Sequence, residues 1–116
     1  VNGVFSWTAP MSNHLLTNTI SVRVTDDGVP PLSNAKLFRV IVIPPPALGT
    51  MHLGNNNLVL NISTFPGKSY RVQYKDELDE PGWTNLEPDL FAHESILTIT
   101  NVLSSQQRFY RILQLD

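Results

Sequence analysis

The chain has 116 residues, of which 41% are hydrophobic and 16% charged, with a formal net charge of −2. Such proportions belong to a folded globular chain, and the length allows one ordinary domain or two very small ones. The absence of cysteine excludes a disulfide framework and thiolate metal sites. Lys and Arg are scattered singly, which argues against nucleic acid as a partner. No apolar run approaches the roughly 20 residues needed to cross a bilayer, so no membrane partner is expected. Val1-Asn2-Gly3 reads as the interior of a longer chain.

Nine prolines and six glycines punctuate the sequence, and apolar residues nowhere keep a 3.6-residue period for three turns. Strand signals dominate. Val4-Phe5-Ser6-Trp7 reads as a short first strand ending before Pro10. Thr19 to Thr25 alternates, with Ile20, Val22 and Val24 on one face and Ser21, Arg23 and Thr25 on the other. Asp26-Asp27-Gly28-Val29-Pro30-Pro31 follows as a turn, with Gly28 expected at positive φ. The next strand, Leu37 to Ile43, places Phe38, Val40 and Val42 on one face. Its other face is also apolar apart from Arg39, so cover on both sides is expected.

Pro44-Pro45-Pro46 cannot donate to a ladder and forms a stiff connector about 9 Å long. Beyond it Leu58, Leu60 and Ile62 alternate with Val59, Asn61 and Ser63, and Phe65-Pro66-Gly67-Lys68 supplies a turn. Tyr70, Val72 and Tyr74 then alternate with Arg71, Gln73 and Lys75, which predicts a half-solvated strand with its aromatic face inward. Asp76 to Gly82 is an acidic loop before Trp83-Thr84-Asn85-Leu86, and Ile96 to Val102 and Arg108 to Leu115 are the last strands. Three strands before the prolines and about five after predict an all-β, antiparallel β-sandwich, immunoglobulin-like or jelly-roll-like. Residues 1–43 form the first segment, 44–48 the connector and 49–116 the second. Three strands alone would leave Ile20, Val22, Val24, Phe38, Val40 and Val42 wet. One composite sandwich of about eight strands is therefore expected, or a homodimer through the N-terminal strands.

The run Ile20-Ser21-Val22-Arg23-Val24-Thr25-Asp26-Asp27-Gly28-Val29-Pro30-Pro31-Leu32-Ser33, with Phe5-Ser6-Trp7-Thr8 before it, resembles the last strands of bacterial cadherin-like and immunoglobulin-like repeats. The second segment carries Pro66-Gly67-Lys68-Ser69-Tyr70-Arg71-Val72-Gln73-Tyr74-Lys75-Asp76, Gly82-Trp83-Thr84-Asn85-Leu86 and Gln107-Arg108-Phe109-Tyr110-Arg111-Ile112. It resembles a small C-terminal β-module of large secreted proteins of Verrucomicrobia and Planctomycetes. The resemblance implies an extracellular accessory domain beside other domains of a parent protein, and transfers no chemistry. The cadherin likeness implies a calcium-ligand carboxylate near Asp26. However, Pro44-Pro45-Pro46-Ala47 stands where the following acidic cluster of such repeats would be. Calcium takes six to eight oxygens. Asp26 and Asp27 cannot supply them, so a solvated turn and no cofactor are expected.

His14, His52 and His93 lie about forty residues apart without an HxH or HxxxH pair, so exposed histidines rather than metal ligands are expected. Asp76, Glu77, Asp79 and Glu80 crowd one loop and are expected to face water, whereas a glycosidase sets two carboxylates across a cleft. With no GxSxG elbow, cysteine or phosphate loop, no catalytic residue is assigned and the chain reads as non-enzymatic. The aromatics remain. Exposed Trp rings on a β-sandwich stack on the apolar face of a pyranose while amides and carboxylates bond its hydroxyls. Trp83 and Trp7, with Asn85, Asp79 and Gln73, are accordingly the candidate polysaccharide-binding residues, for a β-glucan or related plant glycan. Tyr70 and Tyr74 are expected in the core. The competing expectation is a spacer or adhesion module whose aromatics are buried.

Overall fold

The computed structural model describes residues 3–104 and 107–115. Val1 and Asn2, on which the reading of a chain interior partly rests, lie outside the described residues. The protein is all-β: eight strands, all pairings antiparallel, and no helix among the described residues. The chain divides into two compact units, Val1–Pro44 and Pro45–Asp116.

The first unit is built on one hairpin, β1 (Leu16–Thr25) with β2 (Ser33–Val42). The register sets Ile20 against Phe38, Asn18 against Val40 and Leu16 against Val42, so the alternating apolar residues of the two strands share one face. Val4-Phe5-Ser6-Trp7 is not a strand. Instead the Phe5 ring meets Phe38 edge-on, with centroids 6.2 Å apart. Two alternating aromatics are too short a signal to hold a ladder, and here they supply packing. The expectation that β2 is covered on both faces also fails, since Leu37 and Ile41 are 72% and 55% exposed. An apolar run marks a strand buried on both sides only where layers lie on both sides.

Asp26 organises the hairpin loop. Its N–H donates to the Leu32 carbonyl at 2.9 Å, and its Oδ1 accepts from the N–H groups of Gly28 (3.1 Å) and Leu32 (2.8 Å). Gly28 is not at positive φ, contrary to the sequence expectation; Gly67 is the described glycine that is. Space is the physical reason for glycine here, because a Cβ at position 28 would lie 3.2 Å from Asp26 Oδ1.

The second unit holds six strands, so the division is two and six rather than three and five. β3 (Ala47–Gly54), β4 (Asn57–Ser63) and β7 (Ile96–Val102) form one three-stranded sheet in the order β3-β4-β7. β5 (Ser69–Lys75), β6 (Thr84–Phe91) and β8 (Phe109–Gln114) form the other in the order β6-β5-β8. β3 is the strand the sequence hid. Leu48 pairs with Ile62 but Met51 with Leu60, so one extra residue bulges out and interrupts the period of two. The β3–β4 connection is a two-residue turn in which Asn55 and Asn56 both take positive φ, 49° and 62°, as a type I′ hairpin requires. Because β2 ends at Val42 and Ala47 already pairs with Ser63, the unpaired connector is Ile43 and the three prolines.

The turn at Phe65-Pro66-Gly67-Lys68 forms as expected. Lys68 N–H donates to the Phe65 carbonyl at 3.2 Å and Gly67 has φ 86°, with proline before it in the position a type II turn favours. The fully buried core is Leu60, Ile62, Tyr70, Val72 and Ala92, all in the second unit. The two sheets supply its facing layers, and the Asn101 amide on β7 donates to the Tyr110 hydroxyl on β8 at 2.8 Å. Burying the hydrophobic side chains among them is worth about 1.5–3 kcal/mol apiece. Tyr70 is inward as expected, and Tyr74 is half-buried beside Tyr110, with ring centroids 6.5 Å apart.

Candidate functional site

With Tyr70, Val72 and Tyr74 turned inward, alternation sends Arg71, Gln73 and Lys75 to the outer face of the central strand β5. Gln73 is in register with Asn85 on β6 and Arg111 on β8, so these three side chains form one row across the sheet. Gln73 Nε2 donates to Asn85 Oδ1 at 2.7 Å, and Arg111 Nε donates to Gln73 Oε1 at 2.7 Å. The guanidinium has donors and no acceptor, which fixes the orientation of both amides. The Gln73 oxygen must face Arg111, its NH₂ must face Asn85, and the Asn85 NH₂ is then directed onward.

Trp83 immediately precedes β6 and lies beside this row. The Arg111 guanidinium carbon is 4.4 Å from its ring centroid and Lys75 Nζ is 5.0 Å from it. Both distances are those of cation–π contact. Lys75 Nζ also donates to the carbonyls of Leu78 (2.7 Å) and Glu80 (3.2 Å), tying the acidic loop to the edge of the face. Along the sheet, Arg71 forms a bidentate pair with Asp89, Nε to Oδ1 at 2.7 Å and Nη2 to Oδ2 at 2.5 Å. The hydrogen bond and the Arg71 cation hold the Asp89 carboxyl below its ordinary range, and the same bond with the carboxylate's charge raises Arg71.

The expectation that all four loop carboxylates face water needs correction. Asp76 takes a bidentate pair from Arg108 (2.6 and 3.0 Å), which raises the Arg108 pKa. Glu77 Oε2 accepts from Gln107 at 2.8 Å, and Glu80 Oε1 accepts from the Glu77 N–H at 3.1 Å. Asp79 is exposed at the loop's tip region, between Leu78 and Glu80. These bonds shape the loop against the sheet.

Of the five candidate residues, Trp83, Asn85 and Gln73 are brought together; Asp79 sits in the adjoining loop, and Trp7 belongs to the first unit, 41% exposed. Arg111 and Lys75, which contact the Trp83 ring, were not picked out from sequence. The signal was present in the polar alternation of β5 and β8, but it becomes usable only once their register is known. The three histidines are exposed, His14 beside Asn13 and His93 edge-on to Phe91 at 4.9 Å. Among the described residues no three His, Asp or Glu side chains gather as a metal site, and Asp26 spends Oδ1 on its own loop.

A second concavity, about 380 Å³, opens between the sheets where β3 faces β8. Leu48, Met51, Leu53, Leu58, Leu103 and Phe109 are the apolar part of its lining, and Gln107, Arg108 and Tyr110, bonded to Glu77, Asp76 and Asn101, are the polar part. No helix among the described residues is long and apolar enough to cross a membrane. Comparison of the chain with family models, curated proteins and solved structures found no match.

Proposed function

We propose that this chain is a non-catalytic accessory module of a secreted multidomain protein, and that it binds polysaccharide, a β-glucan or related plant glycan, on the outer face of the β6-β5-β8 sheet. The observation that carries the reading is the juxtaposition of a half-buried Trp83 ring with the hydrogen-bonded row Asn85-Gln73-Arg111. An indole lying beside ordered amides and a guanidinium offers a pyranose both an apolar platform and hydroxyl partners. The site is shallow, which fits dissociation constants in the micromolar to millimolar range.

Affinity electrophoresis through gels containing soluble polysaccharides tests the proposal. Retardation by at least one polymer, lost in Trp83→Ala with the unfolding temperature preserved, is the expected result. Equal mobility of wild type and variant in every gel would remove the platform. A second reading, a spacer or adhesion module without a small ligand, draws support from the same contacts, because the cations on Trp83 also brace the sheet's outer face. It is distinguished by a large drop in thermal stability on Trp83→Ala with no glycan retardation in the wild type.

A further inference from the structure

The row Asn85-Gln73-Arg111 on the outer face of the β6-β5-β8 sheet is left rich in hydrogen-bond donors. Arg111 spends Nε on Gln73, and its two terminal nitrogens make no hydrogen bond or ion pair among the described residues. Gln73 spends its oxygen on Arg111 and its NH₂ on Asn85, and Asn85 spends its oxygen on Gln73. What remains is the second N–H of the Gln73 amide, the Asn85 NH₂ and the Arg111 fork as donors, against one further lone pair on each amide oxygen. Donors therefore outnumber acceptors in the row, and its formal charge is the positive one of Arg111.

Charge follows the same pattern. Arg71 and Arg108, on the same unit, each hold a carboxylate in two hydrogen bonds. Arg111 and Lys75 hold none among the described residues, and both are gathered on the Trp83 ring. Cation–π contact orients a guanidinium without neutralising it. A planar fork of donors with uncompensated charge matches a carboxylate bidentately. A neutral sugar, whose hydroxyls both donate and accept, leaves that charge unanswered.

We infer that the glycan recognised at this face is anionic, a polyuronate whose sugar carboxylate docks on Arg111 while its ring packs beside Trp83. The inference rests on the polysaccharide reading above and narrows it to acidic plant polymers. Asn85 then donates to a ring hydroxyl or to the second carboxylate oxygen, and Lys75 adds long-range attraction.

The test compares one backbone with and without its charge. Polygalacturonate should retard the wild-type protein, and the same polymer with its carboxylates methyl-esterified should bind roughly tenfold or more weakly. Raising NaCl from about 0.05 to about 0.5 M should weaken polygalacturonate binding several-fold, as screening requires. Arg111→Met should lose the preference for the acidic polymer, and Arg111→Lys should keep part of it. Because Arg111→Met also removes contacts to Gln73 and Trp83, its fold is checked by thermal unfolding. If it is unfolded, the esterified and free polymers on wild-type protein still decide. Equal or tighter binding of the esterified polymer, of β-glucan or of xylan would overturn the anionic assignment while leaving the polysaccharide reading standing. Retardation by no polymer would overturn both.

Discussion

The hydroxyl of Tyr70, a ring with no exposed surface, accepts a 2.8 Å hydrogen bond from the backbone N–H of Phe65. The bond ties the centre of the core to the turn that launches β5. Tyr70→Phe keeps the ring and leaves a part-buried N–H without its acceptor, a change that should cost about 1–2 kcal/mol. Tyr70→Ala adds a cavity and should cost about 3–5 kcal/mol. Urea unfolding of both variants measures the two costs, and an unchanged midpoint for Tyr70→Phe would mean water replaces the hydroxyl at no loss.

Gly67 sits at φ 86° in the same turn, where nothing lies within 4 Å of an added Cβ. The penalty for Gly67→Ala is therefore conformational rather than steric crowding, on the order of 1–2 kcal/mol. Gly54 has equally open surroundings without a positive φ. Gly54→Ala should be neutral or slightly stabilising. Comparable losses at both positions would show that the backbone angle is not what demands glycine.

Asp89 carries a carboxyl held below its ordinary range by Arg71. A group with a depressed folded pKa stabilises the fold above its unfolded pKa, and that contribution is lost as pH falls through the folded value. For this carboxylate the window lies below about pH 4. Asp89→Asn should flatten the fall in urea midpoint over that window and scarcely alter it near pH 7, because the pair is solvent-accessible and screened. A slope identical to that of the wild type would assign the acid lability to other carboxylates.

All five fully buried hydrophobic residues lie in Pro45–Asp116, and Val1–Pro44 contributes none among the described residues. Expressed alone, residues 45–116 should unfold in a cooperative transition, and residues 1–44 should give none, since a two-stranded hairpin is marginal by itself. Val24 and Phe38 on its apolar face are 68% and 41% exposed, so the shorter fragment should also associate with rising concentration. A sharp melt for residues 1–44 as a monomer, or its absence for 45–116, would contradict this division of stability.

How far the sequence was legible depended on whether a signal was local. Alternation in Leu58-Val59-Leu60-Asn61-Ile62 and Tyr70-Arg71-Val72-Gln73-Tyr74 located β4 and β5 and the direction of their core faces, because a period of two needs no partner to be read. Pro66-Gly67 announced its turn by chemistry that acts within four residues. β3 was hidden because its bulge breaks the period just where the strand begins. Trp83, Asn85 and Gln73 were singled out by residue type, but their placement in one row with Arg111 is a matter of cross-strand register. Register is set by pairing between residues far apart in the chain, and no local pattern encodes it.

The extra residue between Leu48 and Met51 has a consequence for how the gene can change. Up to the bulge the residue of β3 opposite a core-face position of β4 is even-numbered, Leu48 with Ile62; after it such residues are odd-numbered, Met51 with Leu60 and Leu53 with Leu58. Excising Thr50 would erase the bulge yet return the same three side chains to the same facing partners. Its direct loss is the hydrogen bond from Asn61 Nδ2 to the Thr50 hydroxyl, 2.7 Å long and on the outer side. Excising His52 with the bulge kept would move Leu53 to the opposite face of the sheet. Codon deletions a few bases apart thus differ in kind: one is absorbed by straightening, the other inverts the end of a strand.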